Sequence, residues 1–501
     1  MGPDIFGQTS RGVRVKHAPL FSFVCGSCLL VLSAAVSAAD ENLKKANQLL
    51  GKHYYESAAA LLRATSAASA PNAETALTLA RAYAQNARLQ QAMQRSSLVI
   101  GAHYLKQLSA QSGRDRSSFA ALYYAEYLTE AGRQREGTAQ LRRFIGQKHK
   151  EPLYREIAQA NLAVTQNSIP AVSAKSPPLL RSQQALVLSL LPEHKTQANA
   201  LTEQALVELA KSNPNLPVRA VSNAFGVYAR SGQTAKALAL MSSADLSQPS
   251  YEEIINPAKV LRFYDAALLG NLALLYQAEA ERLLQKAGTD SRLKAVSNYF
   301  LLELYLHGGQ FAKASALLPE LLAATDLPQP YRDRLEVMQA ALEVRNGNTS
   351  RGNAAFNTLA KKYEQDPVLL GEVLMTCVQH KAHCPGAVGS ARNLAAANQG
   401  EKFRSLHFAV GEHYASEGKT DRALLELETA RDKSNKNRID ANDPMLLVRL
   451  ADLYFANKSF SESLEIYFEM SKEFPALRQL QEAAQGVYST EYRSAGDAKI
   501  F

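Results

Sequence analysis

The sequence predicts an all-α protein, a right-handed solenoid of antiparallel helix pairs, on three observations. Past Asp40, apolar residues return every third or fourth position almost throughout, as in Ala73 to Gln85, Ser297 to Leu306 and Arg404 to Ser416; this is the period of helices that bury one face. Period-two alternation of the strand kind is hard to find. Short Gly, Asn or Lys punctuation separates the helical stretches, and one spacing of small, aromatic and turn residues recurs along the chain.

Composition narrows the class. At 501 residues, with 46% hydrophobic and 21% charged, the chain has ample apolar material and is not generally disordered. That length would suggest about three ordinary domains, but a repeat array removes the meaning of such a count. No apolar run past residue 40 approaches the roughly 18 residues of a membrane span.

Residues 1–39 read as a targeting segment. Arg11, Arg14 and Lys16 form a basic stretch, and Leu20 to Ala39 is uncharged and ends in Val36-Ser37-Ala38-Ala39, small residues of the kind a signal peptidase cuts after. The expectation is an exported, periplasmic protein that begins near Asp40, with an uncleaved signal anchor as the alternative. Removing Arg11, Arg14, Lys16 and Asp4 leaves +7 of the formal +9. That charge is spread over a long body with no run of five like charges, which argues against nucleic acid as partner.

From 40 to 167 and from 179 to 364 the pattern is of helical pairs, separated at 168–178 by a break with Pro170, Pro177 and Pro178. Residues 401–478 carry the clearest pairs, and 479–501 a final helix or tail. In Leu406 to Ala430, Gly411 is followed by Tyr414, Gly418, Ala423, Leu427 and Ala430: small residues let two helices approach, Tyr414 fills the space beside them and Gly418 turns the chain. The next unit has Ala451, Tyr454, Lys458, Ser463, Tyr467, Met470 and Pro475. Upstream, Leu302, Tyr305, Gly309, Ala314, Leu318 and Leu321 fit the same ruler. Ala80, Tyr83 and Ala92 fit it more loosely, as do Ala125, Leu128, Gly132 and Phe144, then Phe225, Tyr228, Gly232 and Ala237. Around Ala340, Gly347 and Phe356 the fit is only suggestive.

This spacing resembles the tetratricopeptide repeat (TPR), although the chain has no Trp and several bulky residues stand where the family has small ones. The resemblance implies a scaffold whose inner helices line a concave groove. In the family the residue after the small one in each first helix tends to face that groove; here it is Glu126, Glu303, Glu412 and Asp452. Two readings stay open: an acidic groove for a partner, or carboxylates that pair with Lys or Arg of neighbouring repeats. By helical spacing Tyr299, Phe408 and Phe455 join the same face, as anchors for a peptide or helix or as core.

Residues 365–400 hold the two cysteines left after the targeting segment, Cys377 and Cys384. An even pair in an exported chain predicts a disulfide. A straight helix would part their Cα atoms by about 10 Å, so the bridge requires a turn. A zinc set with His380 and His383 is the rival, made awkward because His383 and Cys384 are neighbours. No nucleotide, hydrolase or zinc-protease motif appears, and neither cofactor nor metal is expected. The reading is a non-enzymatic scaffold that binds a peptide or helix of a protein partner in cell-envelope assembly. Its alternatives are an adaptor for polysaccharide export or cell-wall assembly, and a helical accessory of a cell-wall hydrolase.

Overall fold

The computed structural model describes residues 40–66, 70–109, 114–147, 152–166, 168, 173, 175–212, 216–243, 266–398, 400–431 and 443–471. The expected targeting segment, the 479–501 tail and much of the 168–178 break lie outside the described residues. Helix α1 spans 40–51; it is followed by α2 (Tyr55–Ser66), α3 (Ala73–Ser109), α4 (Arg114–Glu130), α5 (Gln134–Ile145) and α6 (Pro152–Thr165). Then come α7 (Pro178–Leu188), α8 (Lys195–Ser212), α9 (Val218–Arg230), α10 (Thr234–Ser243) and α11 (Ala266–Ala287). The chain continues through α12 (Lys294–His307), α13 (Phe311–Ala323), α14 (Gln329–Arg345), α15 (Thr349–Lys362), α16 (Pro367–Gln379) and α17 (Pro385–Ala397). It closes with α18 (Arg404–Ser416), α19 (Thr420–Ala430), α20 (Pro444–Ala456) and α21 (Phe460–Ser471). No strand occurs among the described residues.

The architecture is an α-solenoid of tetratricopeptide-like hairpins. Helices α4–α5, α7–α8, α9–α10, α12–α13, α14–α15, α16–α17, α18–α19 and α20–α21 pack as pairs, and first helices stack on one another, α7 on α9, α14 on α16, α16 on α18. Local chemistry starts and stops the helices. Asp366 accepts hydrogen bonds from the Val368 and Leu369 amides, with Pro367 at the first helical position, and Asp443 with Pro444 repeats the arrangement at α20; an aspartate cap satisfies amides that have no intrahelical acceptor.

The turn residues of the ruler do what their spacing predicts. Gly132, Gly232, Gly309, Gly347 and Gly418 have φ of 78°, 74°, 70°, 91° and 74°, in the left-handed region that a β-carbon disfavours. Lys458, the turn without a glycine, takes the same conformation at φ 63°. At Gly411 a β-carbon would collide with the Leu427 side chain and lie 3.3 Å from the Ala423 carbonyl, so glycine is what lets α18 and α19 come together. The loosest of the suggested units, around Ala340, Gly347 and Phe356, is a complete hairpin, α14–α15.

Cys377 and Cys384 form a disulfide across a turn, with Cα atoms 6.5 Å apart. Lys381 in that turn has φ 55°, which brings the end of α16 back toward α17, as bridging these positions requires.

One unit of the ruler is corrected. Ala80, Tyr83 and Ala92 belong to no hairpin: a single helix of 37 residues, α3, runs through all three. Between Pro71 and Gly101 the sequence offers no Gly or Pro to interrupt it, and Gly101 itself stays helical with the Tyr127 ring where its side chain would be. Helix α3 is also not an ordinary outer layer. It packs along α11, and it reaches α12 and α20 as well as its chain neighbours α2 and α4. The main apolar core therefore draws on residues from Ala46 to Met470, with Tyr83, Leu89, Met93 and Ile100 of α3 almost fully enclosed in it, while Ala185, Leu188, Ala198, Leu201 and Val227 form a smaller separate cluster.

Candidate functional site

The inner face of the hairpins is the candidate site, and α3 lies against parts of it, along α11 and at α12 and α20. At its start, Tyr83 stacks on Tyr276 of α11 with ring centroids 5.5 Å apart, and the Tyr276 hydroxyl donates to Glu56 of α2 at 3.1 Å. Glu56 also accepts from Asn86 at 3.1 Å and pairs with Arg63 at 2.8 Å. A turn further on, the Arg88 guanidinium lies 3.5 Å from Glu303 of α12. Near its end, Ser96 Oγ donates to Asp452 Oδ2 of α20 at 2.8 Å, and the His103 ring meets Phe455 edge-on at 6.3 Å.

Three of the four predicted carboxylates thus face one region. Glu303 sits between Arg88 and His307, 3.5 and 3.8 Å away. Burial opposes its ionisation, but the His307 and Arg88 interactions outweigh it and hold the carboxyl below its ordinary range. His307 is pushed down, by burial first and then by the Arg88 charge. Glu412 accepts from Arg449 Nε at 2.6 Å. Asp452 differs, because its closest partners are hydroxyls: besides Ser96 it accepts from Tyr467 OH at 2.6 Å. Burial raises its pKa to about 6 against the opposing pull of those hydroxyls and of Arg449 and Arg95.

Glu126 is elsewhere. It is 9% exposed and forms a two-pronged ion pair with Arg219 of α9, at 3.0 and 2.7 Å. Asn161 of α6 donates to the same carboxylate at 2.6 Å, while Gln183 of α7 accepts from Arg219 at 3.3 Å and from Asn223 at 3.2 Å. The Arg219 guanidinium also lies over the Tyr123 ring, 5.1 Å from its centroid. Here the ion-pair alternative describes the residue: a charge with little access to water needs such a set of partners.

The aromatic residues divide in the same way. Tyr299 is 2% exposed and packs against Phe300 and Tyr331, with centroids 5.3 and 4.8 Å away; burial pushes its hydroxyl pKa well up. Phe455 is enclosed between His103 and Phe460. Phe408 is half-buried and borders the core. Among the described residues no group of three or more His, Cys, Asp or Glu comes together as a metal site, and no helix is long and apolar enough to cross a membrane.

What the ruler missed is α3. The sequence signal available for it was the stretch from 72 to 100 without Gly or Pro; in the structure buried residues lie on every side of it, including Thr75, Thr78, Asn86, Ser96 and Ser97, as in an interior helix.

The fold and site define a class: an all-α hairpin-repeat scaffold with a helix laid along its inside. No family model and no curated protein matches the chain. Among solved structures, yeast Tom70 is similar at 12% identity over 92% of this chain and 96% of that one, with a TM-score of 0.31. A tetratricopeptide repeat protein from Parabacteroides merdae gives 14%, 66%, 98% and 0.22, and the pentatricopeptide repeat protein PPR10 from maize 16%, 94%, 74% and 0.23. At these values the fold rests on the hairpins described above.

Proposed function

We infer that the chain is a non-enzymatic scaffold, exported to the periplasm, that captures a peptide or helix of an envelope protein on the inner face of its second half. The observation that supports this reading is that the face already accepts a helix. Helix α3 lies there with stacked aromatics, buried small residues and paired charges, the combination a partner helix uses in a groove. With Glu126 and Tyr299 enclosed, the partner-facing set narrows to Phe408, Glu412 and the rim of the Asp452 site. Arg95 of α3 borders the same region, among Asp452, Arg449, Glu412 and Arg88.

A photo-crosslinking residue at position 408, with one at Leu425 on the exposed side of α19 as control, tests the reading in cells that make the protein. Leu425 is 68% exposed, so a mere collision product appears there at least as strongly. A discrete product from position 408 and none from 425 is the expected result. Products from 425 alone would place the partner on the outer side and end this reading.

A further inference from the structure

From Ala266 to the end of α21, every described arginine is engaged by another group of the chain. Helix α5 breaks that pattern. Its core side is Gly137, Leu141 and Phe144. At 100° per residue, Arg135, Ala139 and Arg142 point away from that side, with Arg143 on the flank. All four are exposed, and no described residue pairs with Arg135, Arg142 or Arg143. The small Ala139 between the arginines leaves their guanidiniums unobstructed. The helix has one acid, Glu136, and Arg133 occupies it with two hydrogen bonds of 2.8 and 2.6 Å. Lys106, exposed at the end of α3, is close enough for its charge to act on Glu136.

We propose that this face of α5 docks on an anionic phospholipid surface. Three guanidiniums spread along about two turns of an exposed helix suit many phosphates in a plane better than one small anion in a cleft. Arginine also grips phosphate through paired N–H groups. Attraction of roughly 1 kcal/mol per basic residue near an anionic leaflet gives reversible binding that weakens as salt rises. The inference is independent of the partner groove, because α5 lies outside the α12–α20 face.

Binding of the full chain to vesicles tests it, scored as the ratio between vesicles with 30% phosphatidylglycerol and pure phosphatidylcholine. Wild type and variants share residues 1–39, with the basic Arg11, Arg14 and Lys16, so attachment through that segment is common to all of them and the difference between variants isolates α5. The wild type should prefer anionic vesicles, and R135Q/R142Q/R143Q should lower the ratio about 100-fold, roughly fivefold per arginine. K44Q/K211Q/K361Q removes as much charge from exposed lysines elsewhere and should change it by less than fivefold. Unchanged thermal melts show that both variants fold. The proposal is overturned by a wild type without anionic preference, by a lysine variant that loses as much as the arginine variant, or by binding to heparin but not to vesicles.

Discussion

Glu126 and Asp452 occupy the same position in their repeats, the residue after the small one of a first helix, and they have become different objects. Glu126 is locked to Arg219 and held by amides, so a buried charge meets an opposite charge. Asp452 is enclosed with only the hydroxyls of Ser96 and Tyr467 as its closest partners, and burial raises its pKa to about 6 against their pull. The repeat therefore dictates where the carboxylate points, while the element packed opposite dictates its charge. For Glu126 that element is α9, close by in the array; for Asp452 it is α3, 356 residues away in sequence.

The comparison can be broken from either side. The largest effect should come from R219A, which removes the guanidinium shown on the buried Glu126 carboxylate and should cost about 3–5 kcal/mol, with a matching fall in the denaturant midpoint. Replacing both partners by E126Q/R219M should recover most of that loss; if the double variant is no better than the single, the ion pair is not what the polar cluster is built around.

The disulfide supplies a covalent yardstick. C377S/C384S should cost roughly 2 kcal/mol by the chain-entropy argument for so short a loop. Hydrogen exchange should show the loosening concentrated in α16 and α17, with the Glu126 cluster unaffected.

Asp452 should give a smaller, pH-dependent effect. Its folded pKa lies above the ordinary value, so its contribution is fully present below about pH 4 and is lost as pH rises through about 6. D452N removes that titration. The stability of wild type minus D452N should fall by on the order of 2 kcal/mol between pH 4 and pH 7. A difference that stays flat across this range would mean that Asp452 is ionised throughout.

The smallest effect should be a gain. Lys458 holds a left-handed turn that glycine holds in five other hairpins, and K458G should stabilise the last hairpin by about 0.5–1 kcal/mol, seen as a slightly higher midpoint.

The hairpins were legible because their determinants are local. A glycine at a turn, a small residue at a close approach and a tyrosine between them can all be read within 25 residues, as Gly411 to Ala430 demonstrates. The disulfide turn was legible from chain geometry. An inward direction for Glu303, Glu412 and Asp452 was legible only as what the tetratricopeptide resemblance implies. Their partners were not: Arg88 and Ser96 belong to a helix whose place depends on packing with residues hundreds of positions away, and no spacing rule contains that information. Ala80, Tyr83 and Ala92 misled for the same reason, because an interior helix also spaces small and aromatic residues at three and four.

Helix α3 has a temporal consequence. In an array whose units touch only neighbours, each pair can settle as soon as it leaves the ribosome or the export channel. Here Tyr83 must wait for Tyr276, and Ser96 for Asp452, so the core-facing residues of a long helix made early stay unpacked until nearly the whole chain has emerged. Such high contact order slows folding and favours aggregation in the interval. A chain cut off before α11 should accumulate as insoluble material, where an ordinary solenoid would yield a shorter soluble one.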